Sequence, residues 1–177
     1  ITKLKRWLVN ATTELDISDK IHISTKYNRA SDAEYFKEIK HTDTDLKRLL
    51  SHLIVTYIDS ENHFSSTLLT EDEQIVNAGA PAYTRALEGS VSKTFNTENE
   101  LPVTVSLVST KFTHDTPGKD SGVRTHVNVG VKKTLSTEFP VVTTKANVSN
   151  THYELKNKNN INRTVAGAGI DFAFPFI

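Results

Sequence analysis

The sequence predicts an α+β chain that is mainly β, an elongated antiparallel sheet or β-sandwich with a small N-terminal helical subdomain. Three observations lead there. Residues 87–177 are dominated by Val, Thr, Ser and Phe, and helix formers thin out. Residues 123–139, VRTHVNVGVKKTLSTEF, alternate apolar and polar positions as a strand with two different faces does. Around 31–58, by contrast, apolar residues recur at spacings of three and four, the period of a helix.

In chain order, Ile17, Ile21 and Ile23 among polar neighbours predict one or two half-buried strands. Ser31-Asp-Ala-Glu34 has capping-box spacing and opens a short helix containing Tyr35, Phe36 and Ile39. Thr42 or Thr44 opens a second, whose stripe of Leu46, Leu49, Leu50, Leu53, Ile54 and Tyr57 packs on a core. Thr70-Glu-Asp-Glu73 is another capping box, leading to a short turn of helix that stops at Asn77-Ala-Gly79-Ala-Pro81. A boundary near 80–86 therefore separates a strand-plus-helix region, 1–86, from an antiparallel β module, 87–177.

Within the second region the expected strands are 89–96, 101–112, 123–137, 141–155 and 163–174. The turn cluster His114-Asp-Thr-Pro-Gly-Lys-Asp-Ser-Gly122 joins two of them into a hairpin. In its first arm Val103, Val105 and Leu107 keep odd parity, then Val108 and Phe112 switch to even, which predicts a bulge or a twist. Val165-Ala-Gly-Ala-Gly169 lacks the Lys-Ser/Thr of a phosphate loop and reads as a strand with close backbone approach.

Composition bounds the function. The chain has 177 residues, 37% of them hydrophobic, enough for one domain with a core. Its 21 basic and 21 acidic side chains cancel, which argues against a nucleic-acid protein. No apolar run approaches the ~20 residues of a membrane-spanning helix, and no signal peptide is visible. A chain that begins at Ile1 and has no Met reads as a processed product or a fragment. With no Cys, disulfides and thiolate metal sites are excluded. The seven His are scattered without metal-binding spacing, and Asp43, Asp45, Asp59 and Glu61 read as a solvated helix end. No catalytic residue, metal or cofactor is expected, and the chain is not expected to be an enzyme.

The alternating hairpin supports two readings. One is a half-solvated strand pair covering a core. The other is a pair lining a water-filled barrel, apolar side to lipid, for which arms 103–112 and 123–132 have the ~9–11 residues required. The order of segments carries a resemblance. SVSKTFNTENELPVTVSLVS (90–109), the polar hairpin, THVNVGVKKTLSTEFPVV (125–142) with Gly130 and Pro140, and TTKANVSNTHYEL (143–155) together resemble the insertion module of the aerolysin-like β-pore-forming toxins, the epsilon-toxin and mosquitocidal-toxin relatives.

That resemblance implies a secreted, cytolytic protein that binds a target-cell membrane or a glycan or protein receptor, forms a homo-oligomer and becomes membrane-associated. It would insert a β-hairpin whose Val103, Val105, Leu107, Phe112, Val123, Val127, Val129 and Val131 meet lipid. Region 1–86 would face the receptor, with Trp7, Tyr27, Tyr35 and Tyr83 as candidate ligand contacts. Two other functions remain open: a non-enzymatic carbohydrate- or receptor-binding β-sandwich, and a structural subunit of a capsid or appendage.

Overall fold

The computed structural model describes residues 6–31, 48–75, 84–97, 101–113, 120–136, 140–156 and 158–174. Nine strands occupy them: β1 (Leu8–Ser18), β2 (Ile21–Ala30), β3 (Arg48–Asp59), β4 (Phe64–Ile75), β5 (Thr84–Asn96), β6 (Pro102–Thr113), β7 (Gly122–Ser136), β8 (Val141–Leu155) and β9 (Ile161–Ala173). They form one antiparallel sheet in the order of the sequence, each strand packing on its neighbours in the chain. Among the described residues there is no helix and no second layer. The α+β expectation is corrected to all-β, and the sandwich to a single open sheet.

The expected second helix is β3. Its stripe at three-and-four spacing is equally a strand with apolar residues on both faces. Leu53-Ile-Val-Thr-Tyr-Ile58 is rich in β-branched and aromatic residues, and β2 and β4 supply ladders on its two sides. Leu49, Leu53, Val55 and Tyr57 then share one face, while Leu50, Ile54 and Ile58 share the other. Likewise Thr70-Glu-Asp-Glu73, despite its capping-box spacing, lies inside β4. The first expected helix, with Tyr35 and Phe36, lies outside the described residues.

The expected hairpin is β6–β7, in register from Val103↔Val131 to Phe112↔Gly122 with no shift. The bulge expected after Leu107 is absent: Val108 and Phe112 simply belong to the opposite face. The shift in this neighbourhood lies in β5, between Arg85 and Leu87. Val165-Ala-Gly-Ala-Gly169 is part of β9. What approaches its glycines is side chains of β8: a Cβ on Gly167 would stand 3.0 Å from Asn147 Oδ1, and one on Gly169 3.0 Å from Lys145 Cε.

The connections differ at the two ends of the sheet. At one end they are short: 19–20, 60–63, 97–101 and 137–140. At the other they are 31–47, 76–83, 114–121 and 156–160, longer in three of four cases. The turn at 60–63 is closed by His63 at φ 48°, where a left-handed residue lets the chain reverse tightly. Beside it Asp59, only 8% exposed, accepts hydrogen bonds from Asn62 Nδ2 at 2.8 Å and Lys20 Nζ at 3.0 Å. Those donors outweigh desolvation and lower its carboxyl from 3.8 to about 2, while Lys20 is raised above 10.5.

Among the described residues the buried apolar ones are few: Ala30, Leu49 and Leu69. The surface is 12697 Å2, against roughly 8,600 Å2 for a compact globular protein of this mass. A single sheet has no core of its own, and its stability comes from ladders, cross-strand pairs and whatever covers its faces.

Two outcomes follow from these contacts. Because Asp59 titrates lower in the folded chain than in the unfolded one, its stabilising contribution is complete above about pH 3.8 and is lost as pH falls towards about 2. Unfolding midpoints followed by circular dichroism across that window should fall in the wild type, and Asp59→Asn should flatten the fall while lowering stability at neutral pH. Separately, a Cβ on Gly122 would stand 2.1 Å from the Glu154 carbonyl oxygen. Gly122→Ala should therefore destabilise the β7–β8 pairing by about 1–3 kcal/mol, read from denaturant midpoints.

Candidate functional surface

Residues paired across the ladders share a face, so the register sorts every strand side chain. One row runs Tyr57, Ser66, Val91, Leu107, Val127, Asn150 and Thr164 from β3 to β9. The next rows on that face join Lys93, Val105, Val129, Val148 and Ala166, then Phe95, Val103, Val131, Ala146 and Ala168. Leu15 and Ile23 extend the same face into β1 and β2.

This apolar face is open. Val127 is 37% and Val129 42% exposed, and Leu53, Leu68, Val91, Leu107 and Val148 are exposed with them. Its charged side chains keep to the margins: Arg29, Asp59, Asp72, Lys93, Lys111, Lys133 and Glu154 lie no more than three residues from a strand end. Between them lies a band free of charge. On β7 itself it runs from Val123, which Lys111 and Glu154 flank, to Val131, about 27 Å along the strand, or about 21 Å along the axis of a barrel tilted at ~40°.

Aromatic rings stand at the band's edges. At the short-turn end Tyr57 and Phe64 pack with centroids 6.0 Å apart, Lys93 Nζ lies 5.4 Å from the Phe95 ring centroid, and Phe172 is exposed. Towards the other end are Trp7 and Tyr27, each about half exposed, with the Arg29–Asp72 ion pair.

The opposite face is mainly polar, with apolar residues gathered at Leu50, Ile54, Ile58 and Leu69 of β3 and β4, and is tied across strands by its own side chains. His22 meets Asp16 at 2.5 Å, Thr94 meets Thr104 at 2.9 Å, and His126 meets Thr151 at 2.8 Å. Arg85 reaches Glu71 at 2.5 Å and Glu88 at 3.3 Å, which holds the guanidinium even more firmly charged than usual. Lys145 Nζ lies 2.9 Å from Asp171. Gly130 sits between Thr104 and Asn147, leaving a shallow hollow among hydroxyl and amide groups. Among the described residues no three His, Asp or Glu side chains gather closely enough to hold a metal ion.

Of the residues singled out in the sequence, Val103, Val105, Leu107, Val123, Val127, Val129 and Val131 share the apolar face. Phe112, opposite Gly122, is on the polar face. Trp7 and Tyr27 lie towards one edge of the apolar band, Pro140 is in the β7–β8 turn, and Tyr35 and Tyr83 lie outside the described residues. Asp59 belongs to a turn-closing ion pair, and Asp43 and Asp45 are outside the described residues. The hairpin reading missed that the same two-faced pattern continues through β1–β5 and β9. The signal was present in Leu53, Val55 and Tyr57 and in Ser66 and Leu68, masked by apolar residues at the alternate positions of β3.

The family model described as LPS transport system D (LptD) matches residues 5–177, nearly the whole chain, and no curated protein matches. This overturns the aerolysin-like resemblance, and with it the toxin, cytolytic and pore-forming readings. The family carries association with a membrane and a membrane partner. It does not carry secretion, a cell-surface receptor or a homo-oligomer.

Proposed function

Since the chain belongs to the LPS transport system D family, we propose that its sheet is part of the wall of an outer-membrane β-barrel that passes lipopolysaccharide. The observation that supports this best is the apolar, aromatic-edged band on one face, with its charges at the strand ends, set against a face that is mainly polar and carries paired charges along its strands. A transmembrane barrel presents an apolar band ≈ 25 Å tall to lipid, flanked by aromatic girdles, and a polar interior to water. The ~21 Å band fits that height. The apolar face meets acyl chains, and Ser, Thr, Asn and paired charges line the lumen.

Nine strands with free edges at β1 and β9 leave unpaired backbone groups that hydrocarbon does not tolerate. The wall is completed by strands outside these nine, in keeping with the even strand numbers of bacterial single-chain barrels. Barrels of this kind have short periplasmic turns and longer external loops, so the end with connections 19–20, 60–63, 97–101 and 137–140 faces the periplasm. Lipopolysaccharide is a glycolipid, so the carbohydrate-binding alternative stands nearer to this function than the toxin does, though not as a sandwich. The chain carries out no chemistry; it guides an amphiphile.

These 177 residues contain no Cys, so an introduced cysteine reports on its own position once any cysteine outside them has been replaced. Single cysteines at consecutive positions 123–131 of the intact protein in lipid vesicles should react with a charged, water-soluble maleimide in alternation. Positions 124, 126, 128 and 130 should label, and 125, 127 and 129 should not. Uniform labelling, or protection of the even set, would sink the wall assignment. Val127→Lys, near the middle of the band, should cost about 2–4 kcal/mol of stability in lipid, whereas Asn128→Lys next to it should be tolerated. Equal losses for the two would contradict the assignment of Val127 to lipid and Asn128 to the lumen.

A further inference from the structure

The polar face holds one cavity built differently from its surroundings. It measures about 390 Å3 and lies between Phe112, Arg124, Tyr153 and Leu155, with Arg85 and Asp120 completing its lining. The register explains the hollow. Gly122 stands directly between Phe112 and Leu155, so two large side chains flank a position that has none. The neighbouring row, Thr110, Arg124 and Tyr153, closes the other side.

The charges around this cavity are paired unevenly. Arg85 engages Glu71 and Glu88, Glu88 also accepts from Thr110 Oγ1 at 2.7 Å, and Asp120 meets Lys158 Nζ at 2.5 Å. The half-buried Arg124 has a fully buried Nε without any hydrogen-bond partner, and no ion pair with a described carboxylate. Three cations and three carboxylates cancel in sum, but each carboxylate is already engaged: Asp120, in the cavity lining, by Lys158, and Glu71 and Glu88 by Arg85. A buried guanidinium donor with no acceptor is costly, and a bidentate oxyanion is the group its fork fits best.

We propose that this cavity binds an anionic sugar, with Arg124 holding its phosphate or carboxylate. The sugar ring lies against the Tyr153 and Phe112 rings, and Leu155 shields the apolar edge. The proposal rests on the barrel-wall reading to place the cavity in the lumen, where it would hold the charged saccharide part of the transported glycolipid. The aromatic walls are what distinguish it from a site for a bare anion, which would need donors on every side.

The test is calorimetric titration of the intact protein in detergent micelles with glucosamine 6-phosphate, glucosamine and inorganic phosphate. The sugar phosphate should bind, glucosamine should not, and inorganic phosphate should bind at least tenfold more weakly. Arg124→Gln should weaken the sugar phosphate at least tenfold. Arg124→Lys should fall between, because an ammonium keeps the charge and loses the fork. Equal binding by Arg124→Gln and wild type, or no binding by wild type, overturns the proposal. Inorganic phosphate binding as tightly as the sugar phosphate overturns the role assigned to the aromatic walls. The cysteine-labelling pattern reports the wall assignment separately. Regular alternation with no effect at Arg124 discards the cavity alone, and scrambled alternation with an intact Arg124 effect discards the lumen placement alone.

Discussion

One constraint governs this molecule: nine strands form a single layer, and nothing among the described residues covers either face. A sheet in water ordinarily buries one face against a second layer. Here Leu53, Leu68, Val91, Leu107, Val127 and Val148 stay exposed on the same side. A contiguous apolar surface of that extent marks a place where another phase or partner belongs. The distribution of charge favours the proposed bilayer. A protein partner would tolerate scattered charged residues at its rim in any shape, whereas a bilayer imposes a band of fixed height. The charged side chains of the apolar face keep to strand ends on β2–β8, strand after strand.

The polar face obeys the complementary rule. It meets water, so single exposed ion pairs there contribute little to stability. Yet the pairs recur between neighbouring strands, as with Glu71–Arg85 and Lys145–Asp171. Their combined effect is on register. A slip of one residue between two strands would carry lysines and glutamates into the apolar band and valines into water, so the alternation and the cross-strand pairs enforce the same alignment. The glycines fit this scheme: Gly167 and Gly169 make room for Asn147 and Lys145 to lie across β9.

The C-terminal half was legible in the sequence because its strands alternate cleanly. β6, β7, β8 and β9 begin and end within two residues of where the pattern put them. The N-terminal half was not, and the reason is local. In β3, Leu50, Ile54 and Ile58 add apolar residues to the polar face, and with Leu49, Leu53 and Tyr57 they reproduce helical spacing. In β4, Thr70 and Glu73 fall at capping-box separation by coincidence, one on each face of a strand. The Arg124 cavity was invisible for a different reason: Phe112, Gly122 and Leu155 meet only through pairing across three strands. The toxin resemblance failed for an instructive physical cause. Alternation records that a strand sits between lipid-like and water-like surroundings, and says nothing of when it entered them or how many neighbours it has.

Edges decide what such a sheet requires next. β1 and β9 each present one unpaired row of backbone donors and acceptors. In water, exposed edges invite adventitious pairing; in hydrocarbon, each unsatisfied group costs several kcal/mol. A strand of about a dozen residues leaves roughly half its backbone groups on the open side, so an unclosed edge within a bilayer would cost more than a domain's entire stability of about 5–15 kcal/mol. Closure is therefore a condition of the sheet's existence in lipid. The two outer strands can differ freely in sequence, as the Asp/Glu-bearing β1 and the Gly/Ala-rich β9 do, because backbone pairing, which every residue but Pro supplies on both sides, is what the next strand has to provide.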